Sequence, residues 1–248
     1  MRSYLIMLSL FLLTISCTYT SSDNSITQNE FSFDSNKIWA HRVNTLEEVE
    51  KKNILFEGME IDLIYSSYIN NLYVAHNESD TLRNILLEDW LKHIPNPEKN
   101  WYWLDMKNLN KKNAELIAAL LVDILGSYEI MNKTICESKD VKALTVLKNN
   151  GIAISYWINS DVTFRKFTGN KLWKKRIERK IARLKPNALS SFSWMHPLLG
   201  DSFPNENILY WHFSKYKTTE NDEVIKELCR TPNVKVVLID YDEPIAYK

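Results

Sequence analysis

The chain has 248 residues, 45% of them hydrophobic, and its 31 basic residues balance its 31 acidic ones. This balance excludes the strong positive field that draws nucleic acid to a protein, so we expect no nucleic-acid partner. Having only 5 glycines and 7 prolines, the chain is also not expected to contain long flexible linkers or low-complexity segments. The length suits one large α/β domain or two small ones.

The first residues have the pattern of an export signal. Arg2 precedes an apolar run from Leu5 to Leu13, and Ser16 and Cys17 follow that run. The run is shorter than the stretch of about 20 apolar residues that a transmembrane helix needs. This ending resembles a bacterial lipoprotein signal, in which the cysteine is lipidated and becomes the first mature residue. An ordinary signal peptide with an incidental cysteine is the alternative. We predict a signal peptide over residues 1–16 and a lipid anchor at Cys17.

Residues 17–36 are rich in Ser, Thr, Asn and Asp and have no hydrophobic periodicity, which is typical of a flexible tether. The resemblance to lipoproteins implies an exported bacterial protein that its lipid anchor holds at a membrane. The resemblance also implies that Thr18 permits transport to an outer membrane, because it is not the aspartate that would retain such a protein at the inner one. We therefore expect the protein at the outer membrane.

Strands and helices alternate through the first half of the remaining chain. Thr45 and Glu48 have the spacing of a capping box, which predicts a helix start between the first two strands. The predicted core strands are Ile38–Ala40, Gly58–Leu63 and Trp101–Leu104, and a further short apolar run lies at Leu72–Ala75. The predicted helices after the first are Thr81–His93 and Asn110–Tyr128.

The alternation continues to the C-terminus. Its predicted strands are Thr134–Cys136, Ile152–Ile158, Ala188–Phe192, Ile208–Phe213 and Val234–Ile239, and its helices are Lys139–Asn149, a basic one at Lys171–Lys185, and Glu220–Arg230. Alternating strands and helices favour a parallel sheet, and eight such units fit a single (β/α)₈ TIM barrel over residues 37–248. An open, doubly wound sheet is the alternative. Cys136 and Cys229 fall on distant elements, so we expect two buried free thiols.

The strand Gly58–Leu63 carries two acids two residues apart. Because side chains alternate along a strand, Glu60 and Asp62 share one face and the apolar residues between them point the other way. Two neighbouring buried carboxylates require a positive partner, and a divalent cation with oxygen ligands can supply it. A surface strand with two solvated acids is the alternative.

Further polar residues follow the neighbouring predicted strands. His41 and Arg42 follow the first strand, His76 follows the short run at Leu72–Ala75, and Asp105 with Lys107 follows Leu104. The carboxyl ends of the strands form the catalytic face of a (β/α)₈ barrel, so these side chains are predicted to meet at one rim.

These motifs resemble those of the phospholipase-C-like phosphodiesterase superfamily, whose best-known members are the glycerophosphodiester phosphodiesterases. The segments that carry the resemblance are His41–Arg42, Asn44–Thr45, Gly58–Asp62, Val74–His76, Leu104–Lys107 and Val237–Pro244. The chain departs from the family pattern where Val43 follows His-Arg, where Asn77 follows the second histidine and where Asp105 replaces a glutamate. In these features it is more similar to the sphingomyelinase D and menorin branches.

The resemblance implies a role for each matched residue. It implies that one Mg²⁺ or Ca²⁺ is held by three acids, that two histidines act as general acid and base, and that two cationic side chains bind the phosphate of the substrate. The residues concerned are Glu60, Asp62 and Asp105 for the cation, His41 and His76 for catalysis, and Arg42 and Lys107 for the substrate.

The expected substrate is a small phosphodiester, such as a glycerophosphodiester or a lysophospholipid, and the expected protein is a monomer. The alternatives are a sphingomyelinase D-like lyase that forms a cyclic phosphate, and an inactive lipoprotein that binds a phosphate or a lipid. Glu137 ends the fourth core strand and Trp211 ends the seventh. Both are within reach of the predicted rim, although no family motif requires Glu137.

Overall fold

The computed structural model describes residues 31–79, 85–159, 162–214 and 217–247, without the side chains of 162–168. Within these ranges the strands are β1 (Ile38–Ala40), β2 (Gly58–Ser66), β3 (Asn71–Val74), β4 (Trp101–Met106), β5 (Thr134–Ser138), β6 (Ala153–Trp157), β7 (Ala188–Phe192), β8 (Ile208–His212) and β9 (Val234–Ile239). The α-helices are α1 (Leu46–Lys52), α2 (Leu87–Leu91), α3 (Ala114–Ser127), α4 (Val141–Asn149), α5 (Val162–Leu184), α6 (His196–Ser202) and α7 (Thr219–Arg230).

Eight parallel strands close into a barrel. They follow the order β1, β9, β8, β7, β6, β5, β4, β2, and β1 pairs in parallel with both β9 and β2, which closes the ring. The remaining strand, β3, pairs antiparallel with the far end of β2. The predicted (β/α)₈ barrel is therefore confirmed, and closure excludes the open doubly wound sheet.

Strand alternation divides the hydrophobic residues between two cores. In β2, Met59, Ile61 and Leu63 join the outer core between the strands and the helices. The barrel interior is a separate cluster that consists of Trp39, Trp103, Ile135, Ala153, Ala188, Leu209, Trp211, Val236 and Leu238. Glu60 and Asp62 take the interior side of β2, so the two acids point into the barrel, as their spacing predicted.

Local signals start the helices that cover the barrel. Thr45 and Glu48 form the predicted capping box at α1, in which each side chain satisfies a backbone N–H of the other. Asp140 caps α4 by accepting from the N–H groups of Lys142 and Ala143. These caps fix where the chain leaves each strand end and turns into a helix.

Several helix bounds differ from the prediction. Within the predicted helix Thr81–His93, residues 81–84 lie outside the described chain, Leu86 is extended and bridges to Tyr73, and only α2 is helical. The predicted basic helix is the second part of α5, which has a kink where Gly169 takes a φ of 73°. The unpredicted α6 begins next to Pro197, at a position where proline favours a helix start.

Residues between 31 and 36, just before the first strand, pack against the barrel. The indole of Trp39 donates to Ser35 Oγ at 3.0 Å and that of Trp101 donates to the carbonyl of Ser32 at 3.2 Å. Phe31 and Phe33 pack against the interior cluster. The described chain therefore contacts the barrel from residue 31 onward, ahead of the boundary predicted at residue 37.

Both cysteines of the described chain are buried free thiols, as predicted. Cys136 lies on β5 and Cys229 on α7, and burial raises the pKa of each thiol. Cys17 lies outside the described residues. None of the described helices combines the length and the apolar character that crossing a membrane requires.

The start of β2 depends on a glycine. A Cβ atom at Gly58 would lie 2.1 Å from Cδ2 of the fully buried Trp39, so we expect Gly58→Ala to lower the free energy of unfolding by about 1–3 kcal/mol through overpacking. Gly126→Ala is the matched control, because Gly126 is helical and a Cβ atom added there would meet no neighbouring atom within 4 Å. We expect it to raise stability by about 0.5–1 kcal/mol. Urea unfolding of both variants tests this difference in sign.

Candidate functional site

His41 lies at the end of β1 and is almost fully buried. Its Nδ1 is 2.7 Å from Oδ1 of Asp240, the residue directly after β9, and its Nε2 is 3.8 Å from Oε2 of Glu60. Burial acts to raise the pKa of Asp240, but the hydrogen bond and charge of His41 outweigh it and lower that pKa below its ordinary value. Because the carboxylate holds Nδ1–H, the other ring nitrogen is directed toward the acids.

Arg42 follows His41 in the chain and contacts both Glu60 and His76. Its backbone has a φ of 51°, a left-handed conformation that is uncommon for a residue with a Cβ. This turn lets the Arg42 N–H donate to Glu60 Oε2 at 2.7 Å. The guanidinium Nη2 lies 3.3 Å from Nε2 of His76, and the centre of the guanidinium lies 5.7 Å from the ring centre of Phe213.

The predicted second histidine is placed by the edge of β2. The N–H of Ala75 donates to the carbonyl of Asp62 at 2.9 Å, which brings the residue after it to the rim. His76 is exposed there, with Nδ1 at 3.2 Å from Oδ1 of Asn77. The structure therefore brings His41, Arg42 and His76 to one side of the acid cluster.

The three predicted acids meet inside the mouth of the barrel. One oxygen each from Glu60, Asp62 and Asp105 lies within 4.8 Å of the others. Burial, followed by the charges of the other two acids, raises the pKa of Glu60 well above its usual value. Burial likewise raises the pKa of Asp105. This arrangement requires positive charge.

The donor set fits a hard divalent cation. Three carboxylates supply the oxygen ligands that Mg²⁺ and Ca²⁺ prefer, and Glu60 Oε1 is buried without a hydrogen-bond partner in the described chain. A buried carboxylate oxygen of this kind is costly unless a cation or a donor meets it. The residues present are therefore able to hold the cation that the sequence predicted.

Lys107 lies within this cluster. Its Nζ is 2.5 Å from Asp62 Oδ1 and 2.5 Å from Asp105 Oδ2. Burial acts to lower the pKa of the ammonium, but the two carboxylates outweigh it and raise the pKa above its ordinary value. The predicted phosphate-binding lysine is thus also the nearest counter-ion of two predicted cation ligands.

Asn44 holds Asp62 in a way that the sequence alone did not predict. Its Nδ2 donates to Asp62 Oδ2 at 2.6 Å, and its Oδ1 accepts from the Asp62 N–H at 3.0 Å. Burial acts to raise the pKa of Asp62, but Lys107 and this amide outweigh it and lower the pKa. The signal available in the sequence is Asn44–Thr45, one of the segments that carry the family resemblance, but that resemblance assigns no role to Asn44.

A fourth acid, Glu137, is also buried at this rim. It is 1% exposed, and both of its carboxyl oxygens have no hydrogen-bond partner among the described residues. Burial, followed by the charge of Asp105, raises its pKa well above the usual value, and the nearby hydroxyl of Ser190 offsets only part of this rise. The sequence placed Glu137 within reach of the rim without assigning it a role.

A cavity of about 240 Å³ opens beside these groups. Its polar side is formed by His41, Arg42, Asp105, Lys107, Ser138 and Lys139, and its apolar side by Met106, Leu109, Trp157, Phe192, Trp211 and Phe213. Trp211 forms part of this wall and also packs against Trp103 of the interior cluster, with ring centres 5.5 Å apart. A small molecule with an anionic group and an apolar part suits this lining.

No family model and no curated protein matches the chain in sequence. Its fold is nevertheless similar to that of several solved structures. A glycerophosphodiester phosphodiesterase from Parabacteroides distasonis superposes with a TM-score of 0.59 at 15% identity, over 83% of this chain and 93% of that one. An Oleispira antarctica phosphodiesterase in complex with the product sn-glycerol-3-phosphate superposes with a TM-score of 0.61 at 14% identity, over 84% and 94%.

The same barrel also occurs in a protein of another kind. A glycerol uptake operon antiterminator regulatory protein from Listeria monocytogenes superposes with a TM-score of 0.52 at 10% identity, over 86% of this chain and 96% of that one. The fold by itself therefore does not determine the chemistry. The chain shares its (β/α)₈ fold with solved glycerophosphodiester phosphodiesterases, as its sequence motifs predicted.

Proposed function

We propose that this protein is a divalent-cation-dependent phosphodiesterase that cleaves glycerophosphodiesters or related phospholipid headgroup phosphodiesters. The observation that carries the proposal is the cluster of Glu60, Asp62 and Asp105, which lies next to His41. Arg42 joins His76 to this cluster, and His41, Arg42 and Asp105 line the neighbouring cavity. The structural similarity to phosphodiesterases, one of them in complex with sn-glycerol-3-phosphate, supports the same reaction class.

In the proposed reaction each residue has a separate task. Glu60, Asp62 and Asp105 would hold the cation, which when bound would act as a Lewis acid and withdraw electron density from the phosphate. Asp240 holds His41 Nδ1 at 2.7 Å and so leaves Nε2 to take or give a proton. His76 would make the opposite proton transfer, since an imidazole can act as general acid or general base.

The cationic side chains position the substrate. The guanidinium of Arg42 contacts His76 at 3.3 Å and can bind a nonbridging phosphate oxygen with its other N–H groups. Lys107 lies beside the same acids and lines the cavity, where its ammonium would stabilise the charge that develops on the phosphate.

The reaction is tested by supplying glycerophosphodiesters and choline or ethanolamine lysolipids with Mg²⁺ or Ca²⁺ and following the products by phosphorus NMR. Free glycerol phosphate identifies a hydrolase, and a cyclic phosphate identifies a sphingomyelinase D-like lyase. The absence of turnover with every substrate and both cations would contradict the proposal.

The two histidines should be indispensable to turnover. We expect His41→Asn and His76→Ala each to lower kcat by about 10²–10⁴, because each removes a general acid or base. The matched control is His93→Ala, since His93 is exposed after α2 and its ring Nδ1 lies 2.8 Å from the carbonyl oxygen of Asp89, away from the candidate site. Unchanged turnover in the His41 and His76 variants, with circular dichroism showing intact folds, would contradict the assignment.

Lys107→Met should separate cation binding from catalysis. The ammonium contacts Asp62 and Asp105, two of the proposed ligands, and two positive charges compete for the same oxygens. We therefore expect the variant to bind Mg²⁺ more tightly in calorimetry and to turn over substrate more slowly. Lys111→Met, at an exposed site, should change neither quantity. Weaker Mg²⁺ binding by Lys107→Met would contradict this competition.

We also propose that a lipid on Cys17 anchors the protein at a bacterial outer membrane, where it acts as a monomer on small phosphodiesters. The support is the sequence pattern of residues 1–18. In cells supplied with labelled palmitate, we expect the full-length chain to incorporate the label and Cys17→Ser to lose it and leave the membrane fraction. Label in the Cys17→Ser variant, or none in the natural chain, would contradict the anchor.

A further inference from the structure

Glu137 lies in a row of polar residues that crosses neighbouring strands inside the barrel. Asp62 pairs in register with Asp105, Asp105 with Glu137, and Glu137 with Ser155. Adjacent strands are about 4.8 Å apart, so each side chain of the row is next to the following one. Ile135, two residues before Glu137, belongs to the interior cluster, and strand alternation therefore points Glu137 into the barrel as well.

The groups around Glu137 are buried and lack partners. The carboxyl oxygens of Glu137 and the hydroxyl of Ser155 have no hydrogen-bond partner of good geometry in the described part of the chain. The hydroxyl of Ser190 lies near enough to Glu137 to lower its pKa, and it too makes no hydrogen bond of good geometry there. Both serines are 0% exposed. Buried polar atoms are nearly always paired with protein groups, ions or ordered water. Orphaned atoms on three adjacent strands therefore indicate a polar region of the barrel interior, here called the chamber, where a hydrated ligand would find hydrogen-bonding partners.

The position of the chamber identifies that ligand. It adjoins the cluster of Glu60, Asp62 and Asp105, whereas interior positions elsewhere in the barrel are apolar, such as Leu209 and Leu238. Glu137 is not among the three acids whose oxygens lie within 4.8 Å of one another. A cation held by those three would therefore be reached from Glu137 through one of its water ligands.

We propose that Glu137 is a fourth acid of the cation site, where its carboxyl group accepts a hydrogen bond from a cation-bound water and Ser155 and Ser190 line the same chamber. This inference rests on the proposed cation-dependent function. It makes Glu137 a positioning residue, since it acts on the cation through water and does not touch the substrate.

Calorimetric titration with Mg²⁺ and with Ca²⁺ tests the proposal without any substrate. We expect Glu137→Gln, which keeps the shape of the side chain and removes its charge, to weaken cation binding by about 10- to 100-fold. Glu137→Met, which has no acceptor oxygen, should weaken binding at least as much. The matched control is Glu115→Gln at an exposed site on α3, which should bind as the natural chain does.

Thermal melting in chelator and in saturating cation gives a second readout. In chelator, both Glu137 variants should have a melting temperature equal to or above that of the natural chain, because they lack a buried acid. Saturating cation should raise the melting temperature of the variants less than it raises that of the natural chain. Equal cation affinity in the natural chain and both Glu137 variants would overturn the inference while leaving the proposed function intact. A natural chain that binds neither cation would overturn both.

Discussion

The mouth of this barrel contains more acid than base, and the neighbouring structure compensates for that excess. Glu60, Asp62, Asp105 and Glu137 project into one small space where Lys107 is the nearest ammonium. Bringing carboxylates out of water and next to one another is unfavourable unless positive charge or hydrogen-bond donors meet them. Most of the polar contacts at this rim can be understood as responses to that requirement.

The loop after β1 supplies many of the donors. The Arg42 N–H donates to Glu60 from a residue whose backbone is left-handed, a conformation that costs of the order of 1–3 kcal/mol for a residue with a side chain. Two residues later, Asn44 holds both the carboxylate and the N–H of Asp62. The loop therefore contains a strained residue whose hydrogen bond helps to position the acids. The guanidinium of the same residue, Arg42, contacts His76.

The sequence was sufficient to predict the barrel and the residues at its rim, because both depend on local periodicity. Alternation in β2 placed Glu60 and Asp62 on the interior side, and the strand ends located His41, His76 and Asp105. Helix bounds were harder to predict, as α2 shows. Leu86 is extended because it bridges to Tyr73, and local periodicity does not report a contact between two segments.

The partners of the site residues were harder to predict, because they come from distant parts of the chain. Asp240 bonds to His41 across 199 positions, and only the closing of β9 onto β1 brings it to the rim.

Lys107 lies between the acids of the proposed cation site and the cavity proposed for the substrate. Its ammonium contacts Asp62 Oδ1 and Asp105 Oδ2, which are also oxygens that a divalent cation would use. The same side chain lines the cavity where a phosphate would lie. Each carboxylate that stabilises the buried ammonium also competes with the substrate phosphate for it. The number of acids at the rim therefore sets how easily Lys107 can leave a carboxylate and bind the phosphate. An additional acid such as Glu137 therefore affects the lysine through its charge and the cation through its charge and a bound water, and it does not touch the substrate.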